Sequence, residues 1–112
     1  MELPIPRVDA DSTRSFKTQF KKRRSLFPVI VNFVEAKNAG RSLGGKDKAT
    51  GGDHASLGMR HFHLHRSKKD PILMYREDRG RIQLVAITTH AAAFGENEAS
   101  FFQEISQELG EI

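Results

Sequence analysis

Residues 59–65 read Met-Arg-His-Phe-His-Leu-His, residues 72–77 Ile-Leu-Met-Tyr-Arg-Glu, and residues 81–88 Arg-Ile-Gln-Leu-Val-Ala-Ile-Thr. In the first run polar and apolar positions alternate, so Phe62 and Leu64 face one way and His61, His63 and His65 the other, the period of two that belongs to a strand. The second run follows a turn through residues 67–71, and Asp78-Arg79-Gly80 punctuates the step to the third. Three strands joined by two hairpins make an antiparallel meander. The histidines stand on the outer face of its first strand.

Working outward towards the N-terminus, residues 38–52 are glycine-rich, polar and aperiodic, and read as a long loop. Before them, Phe16, Phe20, Phe27, Ile30, Val31 and Val34 keep helical spacing, with Asp11 or Ser12 available as a cap. Pro28 divides this segment into two helices, because a missing N–H costs nothing in a first turn. Residues 1–10 carry Pro4 and Pro6 and supply at best a leader or an edge strand near residues 5–8. Beyond the meander, residues 96–112 form an acidic helical extension whose Phe101, Phe102, Ile105 and Leu109 cover an open sheet or groove; a role in tuning access to the basic body is the rival reading. The expected fold class is therefore α+β: two N-terminal helices packed on a small, twisted antiparallel sheet, with an additional C-terminal helix.

A chain of 112 residues is a single domain. Its 18 Lys and Arg against 14 Asp and Glu give a net charge of +4, with a pI near 9.7. A basic body favours a polyanionic partner, nucleic acid above all. Lys21 and Lys22 stand in a basic run, residues 21–24, that is either a solvated helix face or an RNA-contacting one. Without cysteine there is no disulfide framework, no thiol nucleophile and no thiolate zinc site. Residues 1–10 contain no apolar signal core, and Pro28 and Asn32 break the longest apolar stretch, so the expectation is a cytoplasmic chain with no membrane partner.

All five histidines fall between Asp53 and Ala91. Histidine can take and give a proton near neutrality, which is what cleavage of an RNA phosphodiester requires. A base removes the ribose 2′-OH proton, the alkoxide attacks the adjacent phosphorus, and an acid protonates the departing 5′-oxygen. His54, His63 and His90 can fill those two roles, and Arg60, Arg76 or Arg81 can hold the phosphate as charge builds on its oxygens. Two plainer readings compete: a merely polar strand face, or a metal site in which His61, His63 and His65 share one face with Asp53 and Asp70 nearby.

The run Asp53-His54, the strand Arg60-His61-Phe62-His63, the segment Ile72-Leu73-Met74-Tyr75-Arg76 and above all Thr89-His90-Ala91-Ala92-Ala93-Phe94-Gly95 resemble the YafQ branch of the RelE/ParE toxin superfamily. The resemblance covers about residues 51–95. It implies a RelE-like microbial RNase fold and the toxin half of a type II toxin–antitoxin pair, an mRNA interferase that cuts message in the 30S A site of the ribosome without metal or cofactor and is silenced by a cognate antitoxin protein. The family's loop histidine falls on His54, its strand histidine on His63, its acidic residue on Asp70, and its final pair on His90 and Phe94, with Phe94 stacking on or positioning a base. Four departures stand out: His61 where an acid is common, a longer and more basic turn before Pro71, no aromatic before Ile72, and a chain that continues past Gly95. The alternatives are a ParE-like inhibitor of DNA gyrase and a non-catalytic nucleic-acid-binding module.

Overall fold

The computed structural model describes residues 10–50, 54, 57–65 and 70–110. Strand β1 (Ala10–Ser12) leads into helix α1 (Arg14–Lys22), a 3-10 turn (Arg24–Leu26) and helix α2 (Phe27–Asn38). Strands β2 (Asp47–Ala49), β3 (Arg60–His63), β4 (Ile72–Asp78) and β5 (Arg81–Thr88) follow, then a short helix α3 (His90–Phe94) and helix α4 (Glu98–Gly110). The class is α+β. None of the described helices is long and apolar enough to cross a membrane.

The strands form one sheet in the order β1-β5-β4-β3-β2. The neighbours from β2 to β5 are antiparallel, but β1 lies parallel to β5, so the sheet is mixed where the sequence predicts a purely antiparallel one. The expected edge strand near residues 5–8 lies outside the described residues. Ala10-Asp11-Ser12 has little β-propensity of its own; the open edge of β5 recruits it, with Arg81 reaching Asp11 at 3.2 Å. β2 is a second addition, a strand drawn from what reads as loop.

Thr13, rather than Asp11 or Ser12, caps α1. Its hydroxyl accepts from the Phe16 N–H at 3.1 Å and donates to the Val85 carbonyl at 2.6 Å, while its own N–H donates to the Leu84 carbonyl at 3.0 Å. A cap of this kind contributes about 1 kcal/mol. Here it also fixes the helix to an irregularity in β5: Met74 pairs with Ala86 and Tyr75 with Leu84, leaving Val85 as the extra residue of a bulge. At the far end of the same hairpin Arg79 and Gly80 both have positive φ, 55° and 78°, as a two-residue type I′ turn demands.

Both faces of the sheet are covered. On one, Phe16 and Phe20 of α1 and Ile30, Phe33 and Val34 of α2 pack with Phe62, Leu73, Tyr75, Leu84 and Ile87. On the other, Met59, Ile72, Met74, Val85 and Ala86 meet Ala93 and Ile105 of α3 and α4, with Phe101 and Leu109 partly buried beside them. Helix α4 thus covers apolar sheet. It also reaches α1, where the Glu108 carboxylate accepts from the N–H of Ser15 at 2.7 Å and from the Ser15 hydroxyl, a favourable place for negative charge at a helix start. The outer face of β3 is accordingly no solvent face: His61 and His63 are each only 8 % exposed.

Candidate functional site

Thr88, Ile72 and His63 lie in one row across β5, β4 and β3. The chain leaves the sheet after Thr88, and Thr89 caps α3 by accepting from the Ala92 N–H at 3.2 Å. His90, first residue of that helix, is thereby turned back over the row towards β3. Its ring stacks on His63 with centroids 5.1 Å apart and meets His61 edge-on at 5.7 Å. His61 and His63, two apart on β3, stand 5.3 Å from each other. Three imidazoles therefore converge from two elements that sequence separates.

Each contact around them orients a ring. Asp70, just before β4, accepts from both the backbone N–H of His90 at 2.8 Å and its Nδ1–H at 2.7 Å. The backbone N–H of His90, with its ring beside it, holds the Asp70 carboxyl below the usual carboxylate range, so the acceptor is ionised. That fixes the His90 tautomer and leaves Nε2 as the working atom. Thr50 Oγ1 is hydrogen-bonded to His61 Nδ1 at 3.0 Å. Burial, and then the neighbouring His63, His90 and Lys48, push His61 down to about 4, so it is neutral at physiological pH. Phe94 closes one side, its ring 5.4 Å from His61 and 5.7 Å from His90.

Of the residues singled out in the sequence, His63, His90, Asp70 and Phe94 are brought together, joined by His61. His54 is not on the open side. It is wholly buried, its Nε2–H donates to the Ala93 carbonyl at 3.0 Å, and the rings of Phe94, Phe101 and Phe102 surround it. It underpins α3 and, through Phe94, the cluster. Its Nδ1 is buried without a hydrogen-bond partner among the described residues.

The expected phosphate-holding arginines are elsewhere. Arg60 alternates with His61 and so lies on the α2 face, bound to Asp47 and to the Tyr75 hydroxyl, both at 3.2 Å. Arg76 is committed to Gln83 at 2.6 Å and to the Leu57 carbonyl. Arg81 opens the strand that ends at Thr88, roughly 23 Å away at strand rise. Lys21 and Lys22 occupy the last turn of α1, across the sheet. Asp53, the other acid of the metal reading, and the basic residues 66, 68 and 69 lie outside the described residues. His65 is exposed beyond the end of β3.

Two contributors carry no sequence signal, and both come from the segment of β2 and the residue after it. Lys48 of β2 pairs with His61 and presents its charge on the same face, while Thr50 follows it. β2 is held in place from behind the sheet: Asp47 accepts from Tyr75 at 2.5 Å, Lys37 at 3.0 Å and Arg60 at 3.2 Å. Burial works against the Asp47 charge, but the Tyr75 and Lys37 bonds outweigh it and keep the carboxyl below its ordinary range. No signal in Asp47-Lys48-Ala49-Thr50 announces a strand. Comparison with protein-family models, with characterised proteins and with solved structures finds no match to this chain.

Proposed function

We propose that this chain is a metal-independent endoribonuclease of RelE-like fold, the toxin of an antitoxin-controlled pair, acting on mRNA in the ribosomal A site. The observation that carries the reading is the Asp70–His90 pair set against His63: an imidazole with its tautomer fixed by a carboxylate, stacked on a second imidazole and a third exposed, with Phe94 beside it. The two N-terminal helices that share a core with the sheet agree with such a fold. The resemblance of residues 89–95 to the YafQ branch supplies the ribosome and the antitoxin; a basic chain and paired proton carriers supply RNA and cleavage.

In this scheme His90 and His63 form the acid–base pair. One takes the 2′-OH proton, the new alkoxide bonds to phosphorus, the bond to the 5′-oxygen breaks, and the other ring protonates that oxygen. The products are a 2′,3′-cyclic phosphate and a 5′-hydroxyl. His61, neutral until about pH 4, cannot be the acid; it takes a hydrogen bond or stands in as base. Asp70 orients the His90 ring through its Nδ1–H. Lys48 faces the phosphate, in place of the three arginines, and Phe94 stacks on a base.

The test is induction of the wild-type protein and of His90→Ala in a host cell, with mapping of mRNA 5′ ends, alongside purified translating ribosomes with and without chelator. Cleavage within translated codons should survive chelation and fall by about 10²–10⁴-fold in the variant, the usual worth of a positioned acid or base. Intact mRNA with the wild-type protein present would sink the proposal and direct attention to gyrase inhibition or simple nucleic-acid binding.

A further inference from the structure

Three converging imidazoles are also a set of metal ligands, and it is the fold that assembles them. The sequence groups His61 and His63 with His65; the structure replaces His65 by His90 from another element. One ring nitrogen from each of His61, His63 and His90 lies within 4.8 Å of the others. Zinc bound tetrahedrally at about 2.0–2.1 Å needs ligand nitrogens roughly 3.3 Å apart, a closure that modest rotations of the three rings supply.

The surroundings have the form that metal-binding imidazoles require. A ligating histidine almost always gives its other ring N–H to a carboxylate, backbone carbonyl or water, which fixes the ring and raises its basicity, and a side-chain hydroxyl offers the same kind of acceptor oxygen. Asp70 does this at His90 Nδ1, 2.7 Å away, and Thr50 at His61 Nδ1, 3.0 Å away, so both rings keep Nε2 for a ligand. An all-imidazole set with no thiolate suits zinc and its borderline neighbours rather than magnesium or calcium. His90 is a third exposed, which leaves a fourth position and a way in.

We propose that His61, His63 and His90 bind one zinc-class divalent ion, and that loading this site silences the nuclease. The silencing follows because the metal takes the ring lone pairs that the cleavage scheme needs for protons; this half rests on the acid–base reading, while the binding half stands without it.

The test uses purified, chelator-stripped protein titrated with zinc chloride against a chromophoric zinc indicator, with cobalt(II) as a second probe whose visible absorption reports tetrahedral nitrogen ligation. Wild type should take up one ion and gain thermal stability from it. His63→Gln and His90→Gln should lose that uptake, Asp70→Asn should bind about 10–100-fold more weakly, and His65→Gln should bind as wild type does. Circular dichroism of each variant separates a lost ligand from a lost fold. In the ribosome assay, stoichiometric zinc should suppress cleavage and chelator restore it. Failure of folded wild type to bind zinc or cobalt overturns the site and leaves the acid–base reading standing. Binding by wild type with no cleavage in any condition supports the site and sinks that reading, and cleavage only in the presence of zinc overturns the silencing.

Discussion

His61 couples the stability of this protein to pH, and the size of the effect follows from its surroundings. Its ring is 8 % exposed and sits beside two further imidazoles and Lys48, so its proton affinity falls from the ordinary 6.5 to about 4. In the unfolded chain the same ring titrates near 6.5. Above that pH neither state binds the proton and the stability is fully present. As pH falls from 6.5 towards 4 the unfolded chain takes up a proton that the folded one refuses, and stability is lost through that window. At about 1.36 kcal/mol per unit, the shift is worth on the order of 3 kcal/mol, a large share of the roughly 5–15 kcal/mol that holds a domain together. His61→Gln keeps a polar side chain of similar reach and removes the titration. Urea unfolding of both proteins from about pH 7.5 to about pH 4.5 should give a wild-type curve that loses about 2–3 kcal/mol more than the variant. Parallel curves would refute the reasoning, as would a His61 proton resonance titrating near 6.5.

Three further substitutions probe the hairpin turn and what holds the cluster in place. At Gly95 a Cβ would come within 2.4 Å of the Ala91 carbonyl oxygen, so Gly95→Ala should force α3 open and cost about 1–3 kcal/mol in thermal or denaturant unfolding, with loss of the His63–His90 ring-current signature in NMR. Arg79 holds a φ of 55°, where its Cβ crowds the backbone and where Asn is better tolerated because its short amide bonds locally, so Arg79→Asn should raise stability by about 0.5–1 kcal/mol without touching cleavage. Asp47→Asn leaves Lys37 and Arg60 without their carboxylate behind the sheet; it should cost about 1–3 kcal/mol and, by loosening β2, also disturb the Thr50–His61 contact on the opposite face, read as a shift in the His61 titration.

What could be read in the sequence was periodic or punctuated. Alternation at residues 60–63, the apolar runs of β4 and β5, the Arg79-Gly80 turn and the Pro28 helix start are local rules, and local rules fix those elements. β1 and β2 obey none: Ala10-Asp11-Ser12 and Asp47-Lys48-Ala49 are strands only because open sheet edges and the Asp47 and Asp11 ion pairs hold them there. The candidate site divides the same way. Histidine clustering points to His54, His63 and His90 alike, and the resemblance adds Asp70 and Phe94, but that His61 joins them and His54 does not depends on the long-range row through Thr88, Ile72 and His63. Charge alone singles out the arginines, and charge does not say which face of a strand a residue occupies; Arg60 and His61 are adjacent in sequence and on opposite sides of the sheet.

The surplus residue at Val85 has a meaning in terms of counting. Read by strict alternation from Ile82 and Leu84, Thr88 would fall on the face of α1 and α2, and the chain would leave the sheet on the side away from His61 and His63. One unpaired residue reverses that parity, and Val85, Ala86 and the exit at Thr88 all turn towards α3 and α4. The residues between α2 and β2 can absorb an insertion or deletion, since only the reach of the chain is at stake there. In β5 upstream of the bulge, a change of a single residue would instead decide on which side of the molecule His90 emerges.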